Sequence, residues 1–218
     1  MDFRWDILVE YAPFFLKGTL LTIGLSIASI LIGTILGLFI GLGKMMKNKL
    51  LAWPFTVYIT FFRGTPLLVQ ILLIHFAVVP LFLNKTSPVL AAILTLSLNA
   101  AAYIAEIFRA GIQSIDRGQM EAARSLGMNH VQAMRHVILP QAFKRMIPPL
   151  GNEFIVLIKE SSLAALIAAP ELMYWGRAMQ GQYFRVWEPY LAAAVIYLVL
   201  TLSLSFVLNH LERRLATE

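Results

Sequence analysis

Three ionisable side chains, Glu153, Lys159 and Glu160, interrupt an apolar run that otherwise reads as a membrane span. Charges at that depth are costly unless they pair or face water. Glu153 and Glu160 are seven residues apart, two helical turns, and so lie on one face. Lys159 lies about 120° round the helix from Glu153. A neighbouring helix pairing with Lys159 and Glu160 would make those two structural. Glu153 has no second basic residue near it in this run, and a lone carboxylate at depth suits a cationic ligand group. On another apolar run Asn99 and Tyr103 stand at i, i+4 and can offer an amide and a hydroxyl to one cavity. Gln70 and Thr65 can do the same from a third. Helix–helix hydrogen bonding accounts for each of these polar groups taken alone. Together with Glu153 and Glu160 they can hold a zwitterion, with amides on its carboxylate and Glu153 on its amine or guanidinium.

Other chemistry lacks its residues. The four histidines do not cluster with carboxylates at ligand spacing, so no metal site is expected. Ser161-Ser162 has no His/Asp partner and is no nucleophile. The chain has no cysteine, which removes disulfides and thiol chemistry together. No Gly-x-x-x-x-Gly-Lys-Ser/Thr phosphate loop occurs, so no nucleotide site is expected here.

The elements that carry these residues follow from composition. Of 218 residues 59% are hydrophobic and 14% charged, against about 25% charged in an average soluble domain. With a mean hydropathy of +0.73, one soluble core cannot hide so much apolar surface. An all-α integral membrane protein is expected. Five runs are long enough to cross ~30 Å of hydrocarbon: 18–43, 64–84, 86–108, 146–170 and 189–211. The shorter apolar stretch 50–62, with Trp53 and Tyr58, suits a helix lying along the interface. No removable signal peptide and no internal repeat are seen, and a single domain over 1–218 is expected.

Basic residues set the orientation. One side collects Lys44, Lys47, Lys49, Arg63, Arg109, Arg117, Arg124, Arg135, Lys144, Arg145, Arg213 and Arg214. The other has Arg4, Lys17, Lys85, Arg177 and Arg185. The positive-inside rule then puts the N-terminus outside and the C-terminus inside, with loop 109–145 in the cytoplasm. The formal charge of +6 is accounted for by topology, and no nucleic-acid partner is implied.

That loop holds Glu121-Ala122-Ala123-Arg124, Gly127 and, further on, Leu139-Pro140. Asp116 is a helix N-cap with Gln119 placed to reach back. Gly127 can end that helix in the left-handed conformation. Asn129 and Gln132 repeat the start signal, and Pro140 marks a new break or start. Two short helices with a glycine elbow result. Small Ala122 and Ala123 let another surface approach closely, while Glu121 and Arg124 can fix its orientation.

This run resembles the EAA loop of permease subunits in bacterial ABC importers, with Val137 where that pattern more often has isoleucine. Arg63-Gly64-Thr65-Pro66-Leu67-Leu68-Val69-Gln70, Leu98-Asn99-Ala100-Ala101-Ala102-Tyr103, Gly151-Asn152-Glu153-Phe154 and Lys159-Glu160-Ser161-Ser162 are similar to stretches of the histidine/glutamine/arginine subfamily. The resemblance implies a five-helix permease core in the bacterial cytoplasmic membrane. It implies a dimer working with two ATPase subunits and an extracytoplasmic binding protein. Glu121, Ala122, Ala123, Arg124, Gly127, Leu139 and Pro140 would be the ATPase-coupling residues. ATP and Mg would sit on the partner, with no cofactor and no enzymatic activity on this chain. The second permease copy is expected to be an identical chain, a heterodimer being the alternative.

The acid in the fourth span favours a basic amino acid, arginine with histidine or lysine close behind; glutamine or cystine are open alternatives within the same class. An ion-coupled secondary transporter using Glu153 or Glu160 is a further alternative, though such proteins often carry repeats and more spans.

Overall fold

The computed structural model describes residues 3–216. Residues 1–2 and 217–218 of the single domain expected over 1–218 lie outside the described residues. Helix α1 (Trp5–Lys44) begins well before the expected span 18–43. Its first turns carry Ile7, Tyr11 and Phe15 at four-residue spacing, and this stripe packs on Leu172, Met179 and Ala193. That contact makes the extension worth forming, because an amphipathic turn is stabilised by the face it buries.

Helix α2 (Lys49–Gly64) starts at Asn48, whose side chain accepts from Leu50 N–H at 2.9 Å. It covers the interfacial stretch expected at 50–62. Thr65 is extended, as the residue before a proline prefers, and Pro66 opens α3 (Leu67–Leu73). A π-helical turn (Ile74–Val78) leads into α4 (Val79–Leu83). The two arms, Lys49–Gly64 and Leu67–Leu83, are bent by 108°. The expected run 64–84 therefore loses its first residues to a sharp corner. Helix α5 (Pro88–Gln113) follows, then α6 (Arg117–Ser125) and α7 (His130–Ala133). A second π turn (Met134–Ile138) joins α7 to α8 (Leu139–Glu160). A 3-10 segment (Ser161–Ile167), α9 (Leu172–Tyr183) and α10 (Trp187–Ala216) complete the chain.

One expectation changes here. The run 146–170 is not one helix: α8 starts inside the expected loop 109–145 and ends at Glu160, where the backbone tightens to 3-10. Pro140, expected to mark a break or a start, stands in the first turn of α8, a start that leaves the helical path continuous. Leu139 N–H donates to Met134 O, five residues back, and Val79 N–H to Ile74 O in the same way before Pro80. A proline ring in a regular helix collides with the carbonyl four residues earlier. Widening the preceding turn by one residue removes that collision, so both helices run on.

Helices α1 and α5 form the closest pair. Gly33, Gly37 and Gly41 face Ser97, Ala100, Ala101, Ile104 and Ala105. The numbers rise together, so the two helices are parallel and the chain between them must return across the bundle. Gln70 meets Asn99 while Ile74 and Val79 pack with Ala91 and Ala92, so α3–α4 runs back along α5. By the same test Gly111 against Met146, with Tyr103 sharing a cavity with Glu153, sets α8 antiparallel to α5, and Gly151 against Leu208, with Lys159 sharing a cavity with Tyr197, sets α10 antiparallel to α8. The segment α6–α7 thus sits at the end where α1 and α10 finish. Three helices, α1, α5 and α10, are long and apolar enough to cross a membrane, and the bent pair makes up to four. Helix α8 is set apart by Lys144, Arg145, Glu153, Lys159 and Glu160.

A Cβ at residue 37 would lie 2.9 Å from Ala101 O and 2.9 Å from Ile104 Cβ. Close backbone approach through small residues is what holds helices together in lipid, where burial supplies little drive. Gly37→Leu is expected to lower stability by about 3 kcal/mol, seen as a lower thermal midpoint in detergent. Gly24→Ala, with nothing within 4 Å of its Cβ, is the control; equal midpoints would contradict this packing.

Candidate functional site

The elbow is built from local hydrogen bonds. Asp116 caps α6 by accepting from Gly118 N–H at 2.7 Å. Gln119 does not reach back; its amide oxygen accepts from Gln141 at 3.3 Å, tying α6 to α8. Gly127 has φ +87°, Gly127 N–H donates to Arg124 O at 3.0 Å and Met128 N–H to Ala123 O at 3.2 Å. These two bonds form a Schellman end. Asn129 and Gln132 then close a reciprocal capping box, both bonds 2.9 Å. The exposed side of α6 presents Glu121, Ala122 and Arg124, and Leu126 just beyond it is 82% exposed.

Three of the sequence-selected residues behave otherwise. Ala123 is buried beneath the elbow, so Ala122 and Ala123 do not present one surface. Leu139 is half-buried and Pro140 exposed beyond the π turn, where they shape α8 and not the face of α6.

The polar residues of the bundle separate into two groups. Thr65, Gln70 and Asn99 do come together, but they satisfy one another. Gln70 Nε2 donates to Phe62 O (2.9 Å), Thr65 O (3.0 Å) and Thr65 Oγ1 (2.8 Å). Asn99 Nδ2 donates to Gln70 Oε1 (2.9 Å) and Phe62 O (3.2 Å). Gln70 is 2% and Asn99 4% exposed. Their amides latch the 108° corner onto α5. This corrects the expectation that they face the same opening as Glu153.

Tyr103 and Glu153 do share a cavity. Its volume is about 510 Å³, and its walls include Arg63, Tyr103, Glu106, Arg145, Asn152 and Glu153. Glu153 is 8% exposed, and among the described residues its carboxylate has no hydrogen bond or ion pair. The other carboxylate is fully occupied. Glu106 takes Lys44 at 2.5 Å, Arg109 at 2.8 Å and Arg63 at 3.8 Å. Arg63 also lies over the Tyr103 ring, 5.2 Å from its centre. Arg145 donates to Ser114 O. The cavity therefore has one unpaired acid on α8 and guanidinium groups on α2 and α8. Such walls suit a ligand that carries both charges. Glu160 lies beyond the cavity, two turns along α8.

Sequence reasoning missed Arg63 as a wall of this site, because it was counted as a topology marker. It also missed Glu171. That carboxylate, 0% exposed, accepts from Tyr197 OH (2.7 Å), Tyr174 N–H (2.8 Å) and Thr22 Oγ1 (3.3 Å). Helices α1, α9 and α10 are joined there. An acid directly before a helix is a capping signal, and it was available at Pro170-Glu171.

A family model for binding-protein-dependent transport system inner membrane components matches residues 13–217. The chain is 38% identical to the glutamine transport system permease protein GlnP of Escherichia coli (strain K12), over 99% of both chains. It is 37% identical to the arginine transport system permease protein ArtQ of Bacillus subtilis (strain 168), over 99% of this chain and 98% of that one. The crystal structure of an amino acid ABC transporter with histidines contains a chain of 44% identity and TM-score 0.92, covering 98% of this chain and 100% of that one.

Proposed function

The chain belongs to the family of binding-protein-dependent transport system inner membrane components, and on that premise we propose that it passes basic amino acids, arginine, lysine or histidine, across the bacterial cytoplasmic membrane. It is a membrane permease subunit of an amino-acid ABC importer, not itself an enzyme, and its ATPase is a separate partner. An extracytoplasmic binding protein is the other partner that the family implies.

The observation that carries the substrate reading is Glu153, a buried carboxylate facing a cavity with no partner of its own. A cationic side chain or amine compensates that charge, and Arg63 and Arg145 on the other walls suit the substrate carboxylate. Five crossings by α1, α3–α4, α5, α8 and α10, with the N-terminus outside, fit the alternating directions of these helices and the basic residues near the elbow. Two identical chains with two ATPases complete the proposed assembly, with ATP and Mg on the ATPases. The exposed face of Glu121, Ala122 and Arg124 is the docking surface for one of them.

Near-equal identity to a glutamine and an arginine permease leaves neutral substrates as the competing reading. Competition separates the two. In cells expressing the complete importer, excess lysine or histidine is expected to suppress labelled arginine uptake about ten-fold. Excess glutamine or cystine is expected to leave it within about two-fold. Glutamine competing as well as lysine would overturn the preference for a cation.

A further inference from the structure

We propose that a second cavity, further along α8 than that of Glu153, is an outer station of the same path, where Lys159 takes the α-carboxylate of the incoming amino acid. This rests on the reading of Glu153 as the acid that meets a cationic substrate. It adds a separate site for the part that all amino acids share. The cavity holds about 410 Å³, with Lys159 and Ser162 facing Tyr190, Ala193 and Tyr197 of α10 across it. That size falls within the ~300–1,000 Å³ of small-molecule sites. Tyr190 lies in the first turn of α10 and Tyr197 about 10 Å deeper. The cavity therefore leads inward from the end of the bundle opposite the elbow. Lys159 is exposed, and among the described residues its ammonium has no hydrogen bond or ion pair. An uncompensated ammonium at such depth is costly. The Tyr197 hydroxyl is spent on Glu171 at 2.7 Å, and that of Ser162 on Lys159 O at 2.6 Å. Among the described residues the Tyr190 hydroxyl makes no hydrogen bond, and no acid lines the cavity. A cation and a free hydroxyl on such walls suit an anion.

One face of α8 joins the two cavities, and this identifies the anion. Asn152 and Glu153 wall the inner cavity, and Lys159 in the outer one stands seven residues beyond Asn152. That is about 10 Å along the axis and within about 20° of the same direction. Asn152 and Lys159 are exposed, with Val156 half-buried between them. A molecule moving inward along this face meets Lys159 first and Glu153 about 9 Å later. The order of the charges matters. Lys159 repels a bare cation, but an amino acid offers its carboxylate there and keeps its side chain for the acid beyond. Lys159 thus reads what arginine shares with glutamine, and Glu153 reads what differs. A lipid phosphate carries the same kind of charge, but it has no use for the continuous polar face that leads on to Glu153.

Counting bound ligand tests this. The complete permease–ATPase complex, purified without its binding protein, is saturated with labelled arginine or with labelled agmatine, which is arginine without its carboxyl group. The wild type is expected to hold about two arginines per permease chain but about one agmatine. Loss of a charge-assisted contact weakens a site about ten-fold or more, so Lys159→Gln should hold about one of either. Lys159→Arg should restore the second arginine. An arginine count that Lys159→Gln leaves unchanged would overturn the outer station, and so would an agmatine count that falls with it. Phosphorus analysis separates the two sources of the anion. Lipid phosphate kept by the wild type and lost from Lys159→Gln, with a single arginine in both, would overturn the carboxylate assignment in favour of lipid. The Glu153 reading fails differently: Glu153→Gln would then leave both counts at their wild-type values, whatever Lys159→Gln did.

Discussion

Replacing Ala122 with tryptophan is expected to abolish uptake while the purified permease keeps its thermal midpoint. Ala122 is exposed on the outer side of α6, so the new indole meets no atom of this chain's core. On the proposed docking it stands where an ATPase surface would come close to the helix backbone. A large side chain at a well-packed contact costs on the order of 2 kcal/mol or more, roughly 30-fold in affinity. The co-purified ATPase is expected to be lost on washing, and ATP hydrolysis should cease to follow substrate. The inward neighbour gives the contrast. Ala123 is 3% exposed beneath the elbow, and Ala123→Trp should lower the thermal midpoint of the isolated permease. If Ala122→Trp left uptake and ATPase recovery intact, the outer face of α6 would not be the docking surface.

Glu153→Gln has the second large effect, and its direction on stability is the informative part. A carboxylate that held the bundle together would be missed, and the midpoint would fall. Glu153 has no partner to lose, so removing its buried charge should leave the midpoint unchanged or raise it. Transport should respond in the opposite sense. Losing the acid that faces a buried cation costs about 2–5 kcal/mol, so arginine and lysine uptake should fall by at least ~30-fold. With Arg63 and Arg145 left in the walls, the emptied site repels a cation further. Any residual uptake of neutral amino acids should change only a few-fold. Equal loss for basic and neutral substrates would sink the cation-reading role.

What was legible in the sequence was local. Asp116, Gly127 and the Asn129/Gln132 pair act on backbone groups within a few residues, and each sits in the elbow as its type predicts. Glu153 was also visible, since a single acid in an apolar run stands out wherever it folds. The partners of Gln70 and Asn99 were not. Their shared hydrogen bond spans 29 residues and exists because the chain reverses between α4 and α5 and brings α3 back along α5. No period or composition encodes that pairing. The cap role of Glu171 was legible at Pro170-Glu171, but its hydroxyl donors were not, lying 149 and 26 residues away in sequence. Pro140 marked a helix start correctly, but the widened turn that joins α8 to the segment before it was not visible.

The glycine–alanine seam between α1 and α5 has a mechanical consequence. Backbones this close, with Gly37 and Gly41 against Ala101 and Ala105, leave no slack for one helix to slide along the other. The pair is a stiff beam. Helix α5 has 26 residues, about 39 Å of length, and α6 begins a few residues beyond its end. A tilt of about 5° imposed at the elbow swings the far end of such a beam by roughly 3 Å. There Ala91 and Ala92 pack against Ile74 and Val79, so a push on the elbow end would be spent on moving α3–α4 and not on bending the helix that carries it.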